Sequence, residues 1–105
     1  MFKKLVLVGL TSISLMAWAA SEIEVDQKGN AFNIKTLKIK VGDTIAFKNN
    51  DEHFHNIFSL TDGQSFDLGS YAKGQVRKHA FTKPGKVDIE CAIHPAMKLI
   101  VEVVP

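Results

Sequence analysis

The sequence contains a single cysteine, Cys91, among its 105 residues. One cysteine cannot form a disulfide bond within the chain, so a common reinforcement of small exported domains is excluded. An odd cysteine in an oxidising compartment is reactive unless it is buried, paired between chains or bound to a metal. A small domain without a disulfide is often stabilised by a metal instead, and the composition favours that solution here.

The chain also lacks an excess of charge. It has 13 basic and 11 acidic residues, and removal of Lys3 and Lys4 with the leader described below leaves 11 of each. Nucleic-acid binding requires a basic surface, so we expect no nucleic-acid partner. The sequence has no visible nucleophile–base set, which argues against a hydrolytic enzyme. It also has no second cluster of metal ligands besides the one described below, which argues against an oxidase.

The first residues have the features of a secretory leader. Lys3 and Lys4 form a basic start, a largely apolar run follows, and Ala17-Trp18-Ala19 has the small-x-small pattern of a signal-peptidase site. The run is too short and too rich in hydroxyl side chains for a membrane span. We therefore expect residues 1–19 to be a signal peptide and residues 20–105 to be one exported, periplasmic domain without a membrane span. A retained anchor is the alternative.

No amphipathic segment of helix length, internal repeat or low-complexity linker is present. Short runs with alternating apolar residues recur between turns, with strand candidates at 55–59, 75–81, 86–91 and 99–104 and shorter runs before them. This pattern predicts an all-β fold, either a sandwich or a barrel. Residues 60–74 are the least regular and are expected to form a long crossing connection. His79, flanked by basic residues, is expected to face solvent.

The segment CAIHPAM, residues 91–97, combines three potential metal donors. Alternation along the preceding strand points Cys91 inward, with Val87 and Ile89. Pro95 has no amide hydrogen and restricts His94 to extended or turn geometry, so the segment is expected to curve back before the last strand. The thiolate of Cys91, the imidazole of His94 and the thioether of Met97 can then converge.

This donor set favours copper. Calcium and magnesium prefer oxygen ligands, and zinc seldom accepts methionine. A blue copper centre takes two histidines and a cysteine with a long axial methionine, so a second histidine is required. His53 and His55 lie two apart on a predicted strand and are expected to face the same way, so either can supply it. The alternatives are a buried free thiol for Cys91 and ordinary core packing for Met97.

The segments NNDEHFHN (49–56) and KPGKVDIECAIHPAM (83–97) together resemble the cupredoxins, the plastocyanin and azurin superfamily of small blue copper proteins. The ligand loop is most similar to that of amicyanins, and FDLGSY (66–71) is similar to plastocyanin-like methylamine-utilisation proteins. The resemblance implies a Greek-key β-sandwich and a type 1 copper ion. The ligands that it implies are His55, Cys91, His94 and Met97. It selects His55 over His53 because the family's first ligand directly precedes an asparagine.

The sequence departs from the family pattern in the surroundings of these ligands. Ala92 stands where many relatives have a serine or threonine, whose hydroxyl can meet the asparagine that corresponds to Asn56. Ile89 stands where an aromatic residue is often found. Both departures concern the residues around the ligands and leave the four implied donors intact.

The function implied by the resemblance is one-electron transfer, with copper cycling between Cu(I) and Cu(II). The expected partners are redox proteins such as a c-type cytochrome or a periplasmic dehydrogenase, and the chain is expected to be a monomer. Phe54, Ile93, Pro95 and Ala96 are candidates for an apolar docking patch around His94, or for packing within the loop. The alternatives are a copper carrier that delivers metal to another protein, favoured by the extra His53, and a metal-free interaction module.

Overall fold

A computed structural model describes residues 20–105, which form nine β-strands. The strands are β1 (Glu22–Lys28), β2 (Ala31–Phe32), β3 (Thr36–Lys40), β4 (Thr44–Asn49), β5 (His55–Ser59), β6 (Phe66–Tyr71), β7 (Val76–Ala80), β8 (Gly85–Cys91) and β9 (Lys98–Val104). Within this range no helix has the length and apolar character needed to cross a membrane. The expected signal peptide, residues 1–19, lies outside the described residues, so the leader and the domain boundary stay predictions.

The nine strands form two sheets. One has the order β2-β1-β4-β7 and the other the order β3-β9-β8-β5-β6. The β1–β4 and β3–β9 pairs are parallel, and the remaining neighbours are antiparallel. The prediction of an all-β sandwich is therefore confirmed, and the candidate strand at 55–59 has the predicted bounds.

The core consists of the alternating apolar residues between the two sheets. On β8, Val87, Ile89 and Cys91 are buried while Asp88 is exposed, so Cys91 points inward as predicted. The same alternation on β9 buries every second residue from Leu99 to Val103. Each fully buried aliphatic side chain contributes about 1.5–3 kcal/mol relative to an exposed one. The inward-facing residues of β8 and β9 therefore hold the thiol at a fixed depth in the sandwich.

The prediction that residues 60–74 form a connection is wrong, because they contain β6. This strand pairs with β5 and places Tyr71 opposite His55. Its alternation is interrupted at Gly69, which has a φ of 73°, and the pairing register shifts between Asn56 and Phe58 on β5. Such irregularities break the period of two that identifies a strand in a sequence.

The prediction that His79 faces solvent is also wrong. The His79 ring is half-buried and stacks on the ring of Phe66, with 3.8 Å between the centroids. It also meets the edge of Phe81, at 4.8 Å between the ring centroids. Since His79 lies on β7 and Phe66 on β6, this stack joins the two sheets. Burial lowers the pKa of His79 from its ordinary value.

We expect His79 to make the metal-free protein less stable in acid. Because the pKa of His79 is lower in the folded than in the unfolded chain, the unfolded state binds a proton first as the pH falls below about 6.5. The stability present above that pH is lost as the pH falls through the folded pKa. Replacement of His79 by phenylalanine keeps an aromatic ring and removes this proton.

Urea unfolding of both proteins between about pH 8 and about pH 5 measures this effect. The free energy of unfolding should fall less steeply with acidification for His79→Phe than for the parent protein. Equal slopes would show that the stack does not disfavour protonation of His79.

Candidate metal centre

The candidate metal centre lies at one end of the sandwich. His55 is the first residue of β5 and Cys91 is the last residue of β8. These strands are antiparallel neighbours in which Ile57 pairs with Cys91, so the start of β5 and the end of β8 meet at the same edge. His94 lies in the loop that leads from β8 to β9, and Met97 directly precedes β9.

Three of the residues predicted as ligands lie close together. One donor atom from each of His55, Cys91 and His94 lies within 4.8 Å of the other two. Nδ1 of His55 is 3.5 Å from Sγ of Cys91, and the two histidine rings have centroids 5.4 Å apart. His55 and Cys91 are buried, whereas His94 is half-buried. The centre is therefore closed to solvent on the strand side and reaches the surface through His94.

Met97, the fourth predicted ligand, is buried in the interior. Its side chain is 1% exposed and belongs to the same hydrophobic core as Cys91. Its backbone amide donates a hydrogen bond of 2.9 Å to the carbonyl of His94. This bond closes a turn around Pro95, so the loop curves back before the last strand, as expected from the sequence.

The donor atoms of this cluster fit a copper ion. Nδ1 of His94 is buried and has no hydrogen-bond partner among the described residues. A buried nitrogen without a partner costs about 1–3 kcal/mol, a cost that a metal bond would remove. Copper accepts a thiolate and two imidazoles as ligands, and the buried thioether of Met97 would be a fourth donor that it accepts.

The far side of the His55 ring is bound to a buried carboxylate. Nε2 of His55 lies 2.6 Å from Oδ2 of Asp51, which is itself buried. Burial raises the pKa of Asp51, but hydrogen bonds from His55 and from the backbone of Asn30 and Gly29 outweigh it and leave that pKa lowered. The carboxylate is therefore ionised, and it holds the His55 ring with Nδ1 toward Cys91.

The role of Asp51 could not be found from the sequence. The expectation that His53 shares a strand with His55 is wrong, because β5 begins at His55. The side-chain amide of Asn49 donates to the carbonyl of His53 at 2.8 Å, in a bend that ends before β5 begins. His53 is therefore exposed, with its ring centroid 5.9 Å from that of His94. For Asp51, the one hint in the sequence of a contact with His55 is the spacing of four residues between them, and such spacing is common.

Asn56 connects the two segments that carry the cluster. Its backbone amide lies 3.4 Å from Sγ of Cys91, and its carbonyl accepts a hydrogen bond of 3.0 Å from the amide of Ala92. The side-chain oxygen of Asn56 is buried and has no partner among the described residues. Ala92 offers no hydroxyl to that oxygen, so this departure from the family pattern leaves an unpaired acceptor.

We expect Ala92→Ser to supply the missing donor. A hydrogen bond from the new hydroxyl to the side-chain oxygen of Asn56 should raise the free energy of unfolding of the metal-free protein by about 1 kcal/mol. Urea unfolding measures this change. Ala96→Ser, an exposed position in the same loop, is the matched control and should leave stability within about 0.5 kcal/mol. Equal effects of the two substitutions would contradict the interpretation.

Comparison with known proteins supports copper as the metal of this chain. Residues 19–104 match the family model described as copper binding proteins, plastocyanin/azurin family. The chain is 34% identical over 91 residues to the methylamine utilization protein MauL of Methylorubrum extorquens. That alignment covers 86% of this chain and 79% of MauL.

Copper proteins are among the solved structures that this chain resembles. A Cu(I) structure of an amicyanin variant has a TM-score of 0.73 and 27% identity, covering 78% of this chain and 81% of amicyanin. The copper-containing nitrite reductase of Thermus scotoductus has a TM-score of 0.74 and 30% identity. The matched region covers 80% of this chain but only 22% of the reductase, which is the larger protein. Since the family model spans nearly all described residues, this chain belongs to the plastocyanin/azurin family of copper-binding proteins, and its cofactor is copper.

Proposed function

We propose that this chain is an exported blue copper protein that carries single electrons between redox partners, with copper held by His55, Cys91, His94 and Met97. The observation that carries the proposal is the buried cluster of His55, Cys91 and His94 in a chain of the copper-binding family. The leader at residues 1–19 would direct the chain to the periplasm, where it would act as a monomer.

Copper at this position would supply reversible exchange of one electron between Cu(II) and Cu(I). The contribution of the chain is to fix the donor atoms. His55 and Cys91 start and end paired strands, and Met97 is packed in the core, so these side chains have little freedom to move. Donors that keep their positions in both oxidation states keep the rearrangement on electron transfer small.

The same arrangement argues against turnover of a substrate at the metal. Four protein donors would leave no open coordination position, which catalytic metal sites require. Burial of His55, Cys91 and Met97 also keeps water from the centre. The chain is not an enzyme, as its membership of this family of binding proteins indicates.

Electrons would enter and leave through the surface around His94. This half-buried ring adjoins Ile93, which is 50% exposed, and Phe54 on the preceding bend is 58% exposed. Pro95 and Ala96 are exposed in the same loop. Large exposed apolar side chains are enriched at interaction surfaces. We propose that this patch meets partners such as a c-type cytochrome or a periplasmic dehydrogenase.

Delivery of copper to another protein is the second candidate function. It is favoured by the exposed His53, whose ring lies 5.9 Å from that of His94 at the solvent side of the centre. An exposed imidazole in this position could pass copper between the surface and the buried donors. The two functions differ in whether copper leaves the protein on reduction.

Copper retention during redox cycling separates the two candidates. An electron carrier should cycle reversibly in protein-film voltammetry and keep its copper in a Cu(I) chelator through many cycles. His53→Gln should then leave both the cycling and the retention unchanged. Rapid loss of Cu(I) to the chelator, slowed by His53→Gln, would contradict the carrier function and favour delivery.

The assignment of Cys91 as a ligand predicts the behaviour of Cys91→Ser. The intense visible absorption of a thiolate–copper bond should be absent from this variant after copper addition, because a hydroxyl cannot replace the thiolate. Ala92→Ser keeps the thiol, adds a hydroxyl at the neighbouring position and should retain the absorption. An intense thiolate–copper band in Cys91→Ser would refute the ligand assignment.

A further inference from the structure

A chain of hydrogen bonds leads from the turn between β1 and β2 to the proposed ligand His55. The amides of Gly29 and Asn30 donate to the two carboxylate oxygens of Asp51, at 2.6 Å and 3.0 Å. Oδ2 of Asp51 in turn lies 2.6 Å from Nε2 of His55. Gly29 and Asn30 both have positive φ, 64° and 54°, as in the tight turns of β-hairpins. Successive amides in such a turn form a cradle for an anion.

The position of Asp51 is fixed independently of His55. The backbone amide of Asp51 donates to the side-chain oxygen of Asn49 at 2.8 Å. Asn49 is fully buried, and its side-chain amide donates to the carbonyl of Tyr71 on β6 at 3.0 Å. The carboxylate is therefore anchored to both sheets. It would remain in place if the imidazole were released, so it can act as a fixed support.

These contacts determine where the proton of His55 lies. The hydrogen-bond partners of the Asp51 carboxylate are the amides of Gly29 and Asn30 and the imidazole of His55, and the two amides can only donate. Because both amides donate to the carboxylate, its oxygens act as acceptors, and Oδ2 is placed to accept from Nε2–H of His55 as well. The lone pair is then on Nδ1, the nitrogen 3.5 Å from the sulfur of Cys91.

We propose that Asp51 is a positioning residue that holds His55 as the Nε2–H tautomer and lowers the reduction potential of the copper centre. This inference rests on the function proposed above. A carboxylate bound to the far side of a ligating imidazole makes that ligand a stronger donor. The negative charge lies in a buried environment, where it acts more strongly than in water, and it favours Cu(II) over the less positive Cu(I).

The chain contains a second buried carboxylate that serves as a matched control. Asp43 accepts hydrogen bonds of 2.9 Å from the amides of Ser21 and Lys40, as Asp51 does from the β1–β2 turn. It precedes β4, whereas Asp51 follows that strand, so about 20 Å of extended chain separates the two. Loss of its charge should therefore affect stability without affecting the copper.

The test compares Asp51→Asn, Asp51→Glu and Asp43→Asn in the copper-loaded protein. Asp51→Asn should lower the affinity for Cu(II) about 10–100-fold and the affinity for Cu(I) less, so its reduction potential should rise. Each tenfold difference between the two losses corresponds to about 59 mV. Asp51→Glu retains the charge and should return the potential toward that of the parent. Asp43→Asn should lower the free energy of unfolding and leave the potential unchanged.

Nuclear magnetic resonance of the parent protein provides a readout that does not depend on whether the variants fold. In the diamagnetic Cu(I) form, Nε2 of His55 should carry a slowly exchanging proton and Nδ1 should carry none. A proton on Nδ1, or an Nε2 proton that exchanges as rapidly as that of an exposed histidine, would overturn the positioning role.

The outcomes separate this inference from the proposed function. One outcome is that the parent and Asp51→Asn are both folded and blue, and that Asp51→Asn has the same reduction potential as the parent and as Asp43→Asn. The role of Asp51 is then overturned, and the electron-carrier function stands. If the parent gives no thiolate–copper spectrum, the proposed function itself fails.

Discussion

The constraint on which the rest of the site depends is the complete burial of His55. An imidazole without solvent contact must have its polar atoms paired, because an unpaired buried polar group is costly. One nitrogen is paired by Asp51, and the other faces the sulfur of Cys91. Three segments meet this requirement together: the bend at 51–53 carries Asp51, the turn before β2 holds its carboxylate, and β5 begins with His55.

The second part of the site is placed by the pairing of β8 and β9. Alternation on β8 buries Cys91, and the loop that follows needs to return at once so that β9 can pair with β8 along its length. The turn from His94 to Met97 accomplishes this, so packing of the apolar core also positions the residues that we propose as ligands. Packing of the apolar core therefore makes both the fold and the proposed ligands rigid, and rigid ligands are what electron transfer requires.

Much of this could be predicted from the sequence because the relevant signals are local. The period of two identified β5 and β8, and the parity of Val87, Ile89 and Cys91 gave the direction of the thiol. The missed features depend on contacts between distant segments. Gly69 concealed β6, the stacking of His79 required Phe66 on the opposite sheet, and the function of Asp51 required a turn 21 residues or more before it. Pairings of this kind leave no periodic pattern in a single sequence.

We infer that a thiolate and two imidazoles of this chain bind one copper ion. The most direct test is to reduce the thiol of the purified protein, titrate it with Cu(II), and record its visible absorption and electron paramagnetic resonance spectra. We expect an intense absorption of orange-red light and a narrow copper hyperfine splitting, both saturating at a single equivalent of copper. A pale protein with the wide splitting of ordinary nitrogen-bound copper would mean that Cys91 does not bind the metal, and would refute a blue copper centre in this chain.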